Sequence, residues 1–208
     1  MPQNNFFTIS KESFSRLKIA LLCIFSVLLF RQFRGIIMEK GHYHVLLVPL
    51  HALLQTAIFK HLTDFLLLLA QSIFYCEFLI LFRKRESKAQ YLCGLLIVLL
   101  FIIFILGFVS PVPWFNTGIY LPSIFFLSKE IIILSLSIFF IVLFRGYVRL
   151  SGFAASTSII LPNLILPAMA SCASANALNI LVEVINPITT LCLFLSYLFC
   201  FKSFKPRE

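Results

Sequence analysis

FRGYVRLSGFAASTSIILPNLILPAMASCASANALNILVEVINPITTLCLFLSYL, residues 144–198, is nearly free of charge. Beyond Arg149 the next charged side chain is Glu183, and the one after that is Lys202. The stretch holds two segments long and apolar enough to cross a bilayer. With no water to bond the backbone in hydrocarbon, such segments are helices, and the fold class follows: an all-α, polytopic integral membrane protein. A lone arginine and a lone carboxylate on neighbouring spans are costly there and point to an ion or proton path.

Composition extends that reading to the whole chain. The 208 residues are 61% hydrophobic and only 12% charged, too few charges to coat a soluble domain, and the mean hydropathy is +1.02. The net charge of +9 comes from short basic clusters between apolar runs. Those are topology signals flanking spans, not the continuous basic face that a nucleic acid needs. Cys23, Cys76, Cys93, Cys172, Cys192 and Cys200 lie almost wholly in apolar runs, with no CxxC or Cys/His metal spacing. They read as small buried hydrophobes. The polar start, MPQNNFFTISKESFSRLK, lacks an A-x-A cleavage site and resembles neither a secretory signal nor a transit peptide. Abundant Phe and scarce Gly fit an AT-rich gene, of an organelle or an AT-rich bacterium.

Five or six spans fit the pattern, in a single membrane domain covering 1–208. The first runs from about Ile19 to Phe30 and extends toward Ile37 if Arg31 and Arg34 snorkel. Residues 38–61, with His42, His44, His51 and Pro49, are too polar for a clean span and lie partly in the interface plane. These two pieces form the N-terminal part, 1–61, and central spans occupy 62–143. The second span is Leu62–Phe82, followed by RKRESKAQ, the strongest inside marker. The third, Leu92–Val109, carries no charge and ends at SPVPWFNTG, a turn without basic residues that is placed outside. A fourth runs from Ile124 to Phe144. The fifth, Ser151–Ala170, should be bent or interrupted at Pro162 and Pro167, and the last is Ile180–Phe201. Residues 144–201 thus form a C-terminal helical hairpin. No internal repeat is present.

Arg149 is either a flank of its span or a functional cation; Arg145, four residues earlier, would share its face on one helix. Glu183 must pair with a base or face water, and both suit a proton relay. Asn186 follows on the same face, and Pro187 opens the backbone beside it. Lys129 and Glu130 read as an anchor at the outer interface. All four histidines lie in or beside one polar stretch, whereas transmembrane haem needs axial His on facing helices. With no zinc motif, nucleophile elbow or phosphate loop either, neither a metal nor a cofactor is expected.

VRLSGFAAS at 148–156 resembles the arginine neighbourhood of subunit a of F-type ATP synthases, LNILVEVINPITTLCLFLSYL at 178–198 is similar to that family's last helix, and ILGFVSPVPWFNTG at 105–118 to an earlier turn. Phe153 and Asn186 stand where the family has Asn and Gln. The resemblance implies a stationary proton-channel subunit without covalent chemistry, whose partners are c-ring proteolipids, other subunits and lipid, with protons the only small substrate. It implies a mitochondrial inner membrane, or a bacterial plasma membrane. Arg149 would block short-circuiting between two half-channels, with Arg145 in reserve, while Glu183 and Asn186 line one half-channel. Two alternatives stand beside it. FLILFRKRESK at 78–88 is similar to a segment of the twin-arginine translocase receptor TatC, which would rest on Glu86; a non-catalytic structural subunit would need none of these residues.

Overall fold

The computed structural model describes residues 7–40, 57–109, 121–170 and 175–207. A short strand, β1 (Phe7–Ile9), leads into α1 (Lys11–Lys40), followed by α2 (Ala57–Lys84), α3 (Ala89–Val109), α4 (Leu121–Leu143) and α5 (Tyr147–Ile160). A π-helical turn (Leu161–Ile165) then carries the chain into α6 (Leu166–Ala170), α7 (Ala175–Lys202) and β2 (Phe204–Pro206). Six stretches among the described residues are long and apolar enough to cross a membrane: Lys11–Arg34, His61–Lys84, Ala89–Leu106, Ile124–Leu143, Tyr147–Met169 and Ile180–Lys202. The protein is an all-α multi-pass membrane protein.

Two short strands bear on the number of crossings. β1 and β2 pair in parallel, Phe7 opposite Phe204 and Ile9 opposite Pro206. The flanking backbone bonds, Phe7 N–H to the Ser203 carbonyl and Arg207 N–H to the Ile9 carbonyl, are both 2.8 Å. The start of the first span and the end of the last therefore lie on one side of the membrane, which requires an even number of crossings. Six satisfies it. The basic stretches 11–18, 145–149 and 202–207 fall on that one side, the inside by the bias of basic residues.

The helix starts and stops have local causes. Ser10 caps α1, its Oγ accepting from the Ser13 N–H at 3.1 Å, which is why the polar KESFSRLK is helical rather than a tail. The α2–α3 connection is a Schellman turn: Ser87 N–H reaches the Phe82 carbonyl at 3.0 Å and Glu86 N–H that of Arg83 at 3.2 Å. Its left-handed position, φ 52°, is held by Glu86 where glycine is usual. Between α4 and α5 the left-handed residue is Gly146, φ 64°. Residues 41–56, 110–120 and 171–174 lie outside the described residues, and with them most of the interfacial reading of 38–61 and the SPVPWFNTG turn.

The chain divides into two compact units, residues 19–129 and residues 1–18 with 130–208. In the first, α2 and α3 pack antiparallel, with Phe74, Phe82, Cys93 and Leu96 wholly buried. Lipid is as apolar as leucine, so such contacts stabilise through close packing, not through removal from water. Arg31 of α1 forms an ion pair with Asp64 of α2, and the Cys23 thiol reaches the Leu66 carbonyl at 3.7 Å. In the second unit α5 lies along α7. The Ser151 hydroxyl and Cys200 thiol are 3.2 Å apart, and the rings of Tyr147 and Phe199 stack at 6.4 Å. Gly152 lets α5 approach α4 so closely that an added Cβ would sit 2.7 Å from the Ser137 carbonyl oxygen.

Candidate functional site

The contact of Ser151 with Cys200 sets the register of the antiparallel α5–α7 pair. Arg149 lies in the first turn of α5, against the end of α7. Glu183 stands seventeen residues before Cys200, about 25 Å away along the axis at 1.5 Å per residue. The arginine and the carboxylate therefore occupy opposite ends of the hairpin and are not brought together.

Arg149 is exposed, its guanidinium 5.7 Å from the centre of the Phe153 ring. Only two residues inside its span, it can snorkel to the inner interface. Arg145 is exposed too, but precedes α5 and is separated from Arg149 by the left-handed Gly146. The shared helical face expected for these two arginines does not form, because the corner falls between them.

Glu183 and Asn186 are both exposed on α7, in the outer part of the last span. Pro187 lies inside that helix. It has no N–H to give the carbonyl of Glu183, four residues back, so a carboxylate and a weakened backbone position coincide.

The expected interruption of the fifth span takes the form of the π-turn at Leu161–Ile165. Pro162 cannot donate to Ser158, and the backbone ladder shifts from four to five residues of separation. The side chain of Asn163 bonds at this turn: Nδ2 donates to the Ile159 oxygen at 3.0 Å, and its second proton goes to Oε2 of Glu130 on α4 at 2.8 Å.

Glu130 is thus more than an interfacial anchor. It lies six residues inside its span, Asn163 six residues from the outer end of the next, and Asn186 six residues inside the last. All three sit at about 9 Å of depth from the outer side. Among the described residues of this unit, a carboxylate and two carboxamides thus share one depth, with the Glu183 carboxylate three residues nearer the outer end of α7. Two more polar atoms of the hairpin, Oγ of Ser156 and Oγ1 of Thr189, are buried without a hydrogen-bond partner.

Asn163 carried no signal by itself in the sequence, being one polar residue in an apolar run. Hairpin symmetry would have found it, since Glu130 and Asn163 are almost equidistant from the corner at Gly146. Compared with protein-family models, with curated proteins and with solved structures, the chain matches none.

Proposed function

We propose that this chain is a proton-handling subunit of a membrane complex, with the proton held in the outer half of the membrane by Glu130 and Glu183. The observation that carries the reading is the Asn163 carboxamide, which bonds a carboxylate inside a span at the point where its own helix is broken. Intramembrane carboxylates face functional paths far more often than lipid, and π-turns gather at functional sites. Glu130 accepts a proton from water on the outer side and passes it on, Asn163 holding its carboxylate in place. Glu183, beside Asn186 and the Pro187 break, is the second carrier.

The specific setting proposed is the stationary subunit of a rotary ATP synthase, on the resemblance at 148–156 and 178–198. Arg149, exposed at the inner end of its span, serves as the cation of the inner mouth, with Arg145 beside the same boundary.

The test is purification of the native complex in mild detergent, followed by mass spectrometry and proton uptake into proteoliposomes. Co-purification with a c-type proteolipid, together with loss of uptake in Glu130→Gln and Glu183→Gln, is the expected result. Unchanged uptake in both variants would sink the proton-handling reading, and recovery without a proteolipid would remove the rotary setting alone.

A further inference from the structure

A second feature, independent of the outer carboxylates, lies at the opposite end of the same unit. Three stretches far apart in the chain meet there. Phe7 of β1 is buried, with its ring 5.6 Å from those of both Phe144 and Phe204. Phe14 lies 5.0 Å from Phe201, and the ammonium of Lys202 stands 5.7 Å over the Tyr147 ring.

This aromatic collar, tied by the β1–β2 pair, collects Lys11, Arg145, Arg149, Lys202 and Arg207. All five are exposed, and none forms an ion pair among the described residues. Glu12 is the single acid within 7–18, 144–149 and 202–207. Cations converge here because strand pairing folds both ends of the chain onto the corner at Gly146, not because any one stretch is strongly basic.

We infer that this collar is a binding site for an anionic phospholipid of the inner leaflet. Guanidinium groups take a phosphate through paired hydrogen bonds, whereas a zwitterionic headgroup brings its own cation into the same space. The collar stands where a headgroup would be, at the inner end of the fifth and sixth spans. Below it, Leu150, Phe153 and Leu191 present exposed apolar surface for the acyl chains. Juxtamembrane basic residues elsewhere attract anionic lipid only through their summed charge. The collar adds fixed geometry, and that difference can be measured.

The experiment is native mass spectrometry of the full chain released from nanodiscs of mixed phosphatidylglycerol and phosphatidylcholine. The wild type should retain phosphatidylglycerol selectively. The triple variant Arg145→Gln/Arg149→Gln/Lys202→Gln should lose about tenfold of that selectivity. Neutralising the corner after α2 instead, with Arg83→Gln/Lys84→Gln/Arg85→Gln, removes the same charge and should leave selectivity intact. Phe7→Ser keeps every cation but loosens the collar, and should lower selectivity as well. Equal losses in the two triple variants, full selectivity in Phe7→Ser, or equal retention of both lipids by the wild type would each overturn the inference.

Discussion

Asn163 and Glu130 meet across two antiparallel spans, the carboxamide donating to the carboxylate at 2.8 Å while it also caps the Ile159 carbonyl of its own helix at 3.0 Å. One side chain therefore bonds the backbone of its own span beside the π-turn and ties it to the neighbouring span. Few other residues could do both, because aspartate cannot donate when ionised and serine has a single proton to give.

Replacing Asn163 by Ala should accordingly cost more than one interhelical hydrogen bond between spans, which averages about 0.6 kcal/mol. We expect a loss of about 1–2 kcal/mol, since a carbonyl and a carboxylate both lose their donor. Reversible unfolding in mixed micelles reads the difference. A loss no larger than that of Thr157→Ala, whose exposed hydroxyl bonds only the Phe153 carbonyl of its own helix, would contradict the dual role.

Gly152 should tolerate no side chain. A Cβ there lies 2.7 Å from the Ser137 carbonyl oxygen and 3.1 Å from Cβ of Phe140, and backbone cannot yield as a flexible side chain would. Gly152→Ala is expected to destabilise by about 1–3 kcal/mol, the usual range for overpacking. Gly94→Ala meets only Cδ1 of Leu79 at 3.4 Å and should be far milder. Thermal unfolding of the two variants side by side tests the contrast.

Glu86 holds a left-handed position, φ 52°, that costs an ordinary residue about 1 kcal/mol. Glu86→Gly should stabilise the α2–α3 turn by roughly that amount. A translocase receptor that relies on this carboxylate would lose activity in the same variant, so stability and secretion assays on one protein separate strain from function.

Arg31 and Asp64 pair within the first two spans, each side chain somewhat more than one-third exposed. Alanine at either position leaves a charge without its partner, while the double variant removes both. A double-mutant cycle should return a coupling of about 1 kcal/mol, modest because neither group is deeply enclosed. Additive losses would show that the pair contributes nothing.

Topology offers a further check. Cysteine labels at Ser10 and Lys205 should react from the same side of intact vesicles. Labels at Ser10 and Lys205 reacting from opposite sides would refute the even span count.

The class of fold was legible because it rests on local quantities: runs of apolar residues, basic flanks and the prolines at 162 and 167. The expected bend was there, and its form, a π-turn, follows from the missing N–H of Pro162 together with the carboxamide of Asn163. The strands were not legible. Three residues are too short to show a two-residue period, and β1 finds its partner at the other end of the chain. The same limit hid the Glu130–Asn163 bond, which exists only once α4 and α5 are folded against each other at Gly146. Arg149 and Glu183 stood out as charges in apolar surroundings, but their separation depended on the register of α5 against α7, which no linear pattern records.

The parallel pairing of Phe7–Ile9 with Phe204–Pro206 also bears on how the protein is made. The first strand leaves the ribosome early and waits, unpaired, until residues 204–206 emerge. A product that stops before them lacks β2 and keeps that strand edge open for other chains or for quality-control proteases. Closure of the strand pair thus waits on all the spans between, and a fragment that stops short of residue 204 differs from the closed fold by a single, locally readable contact.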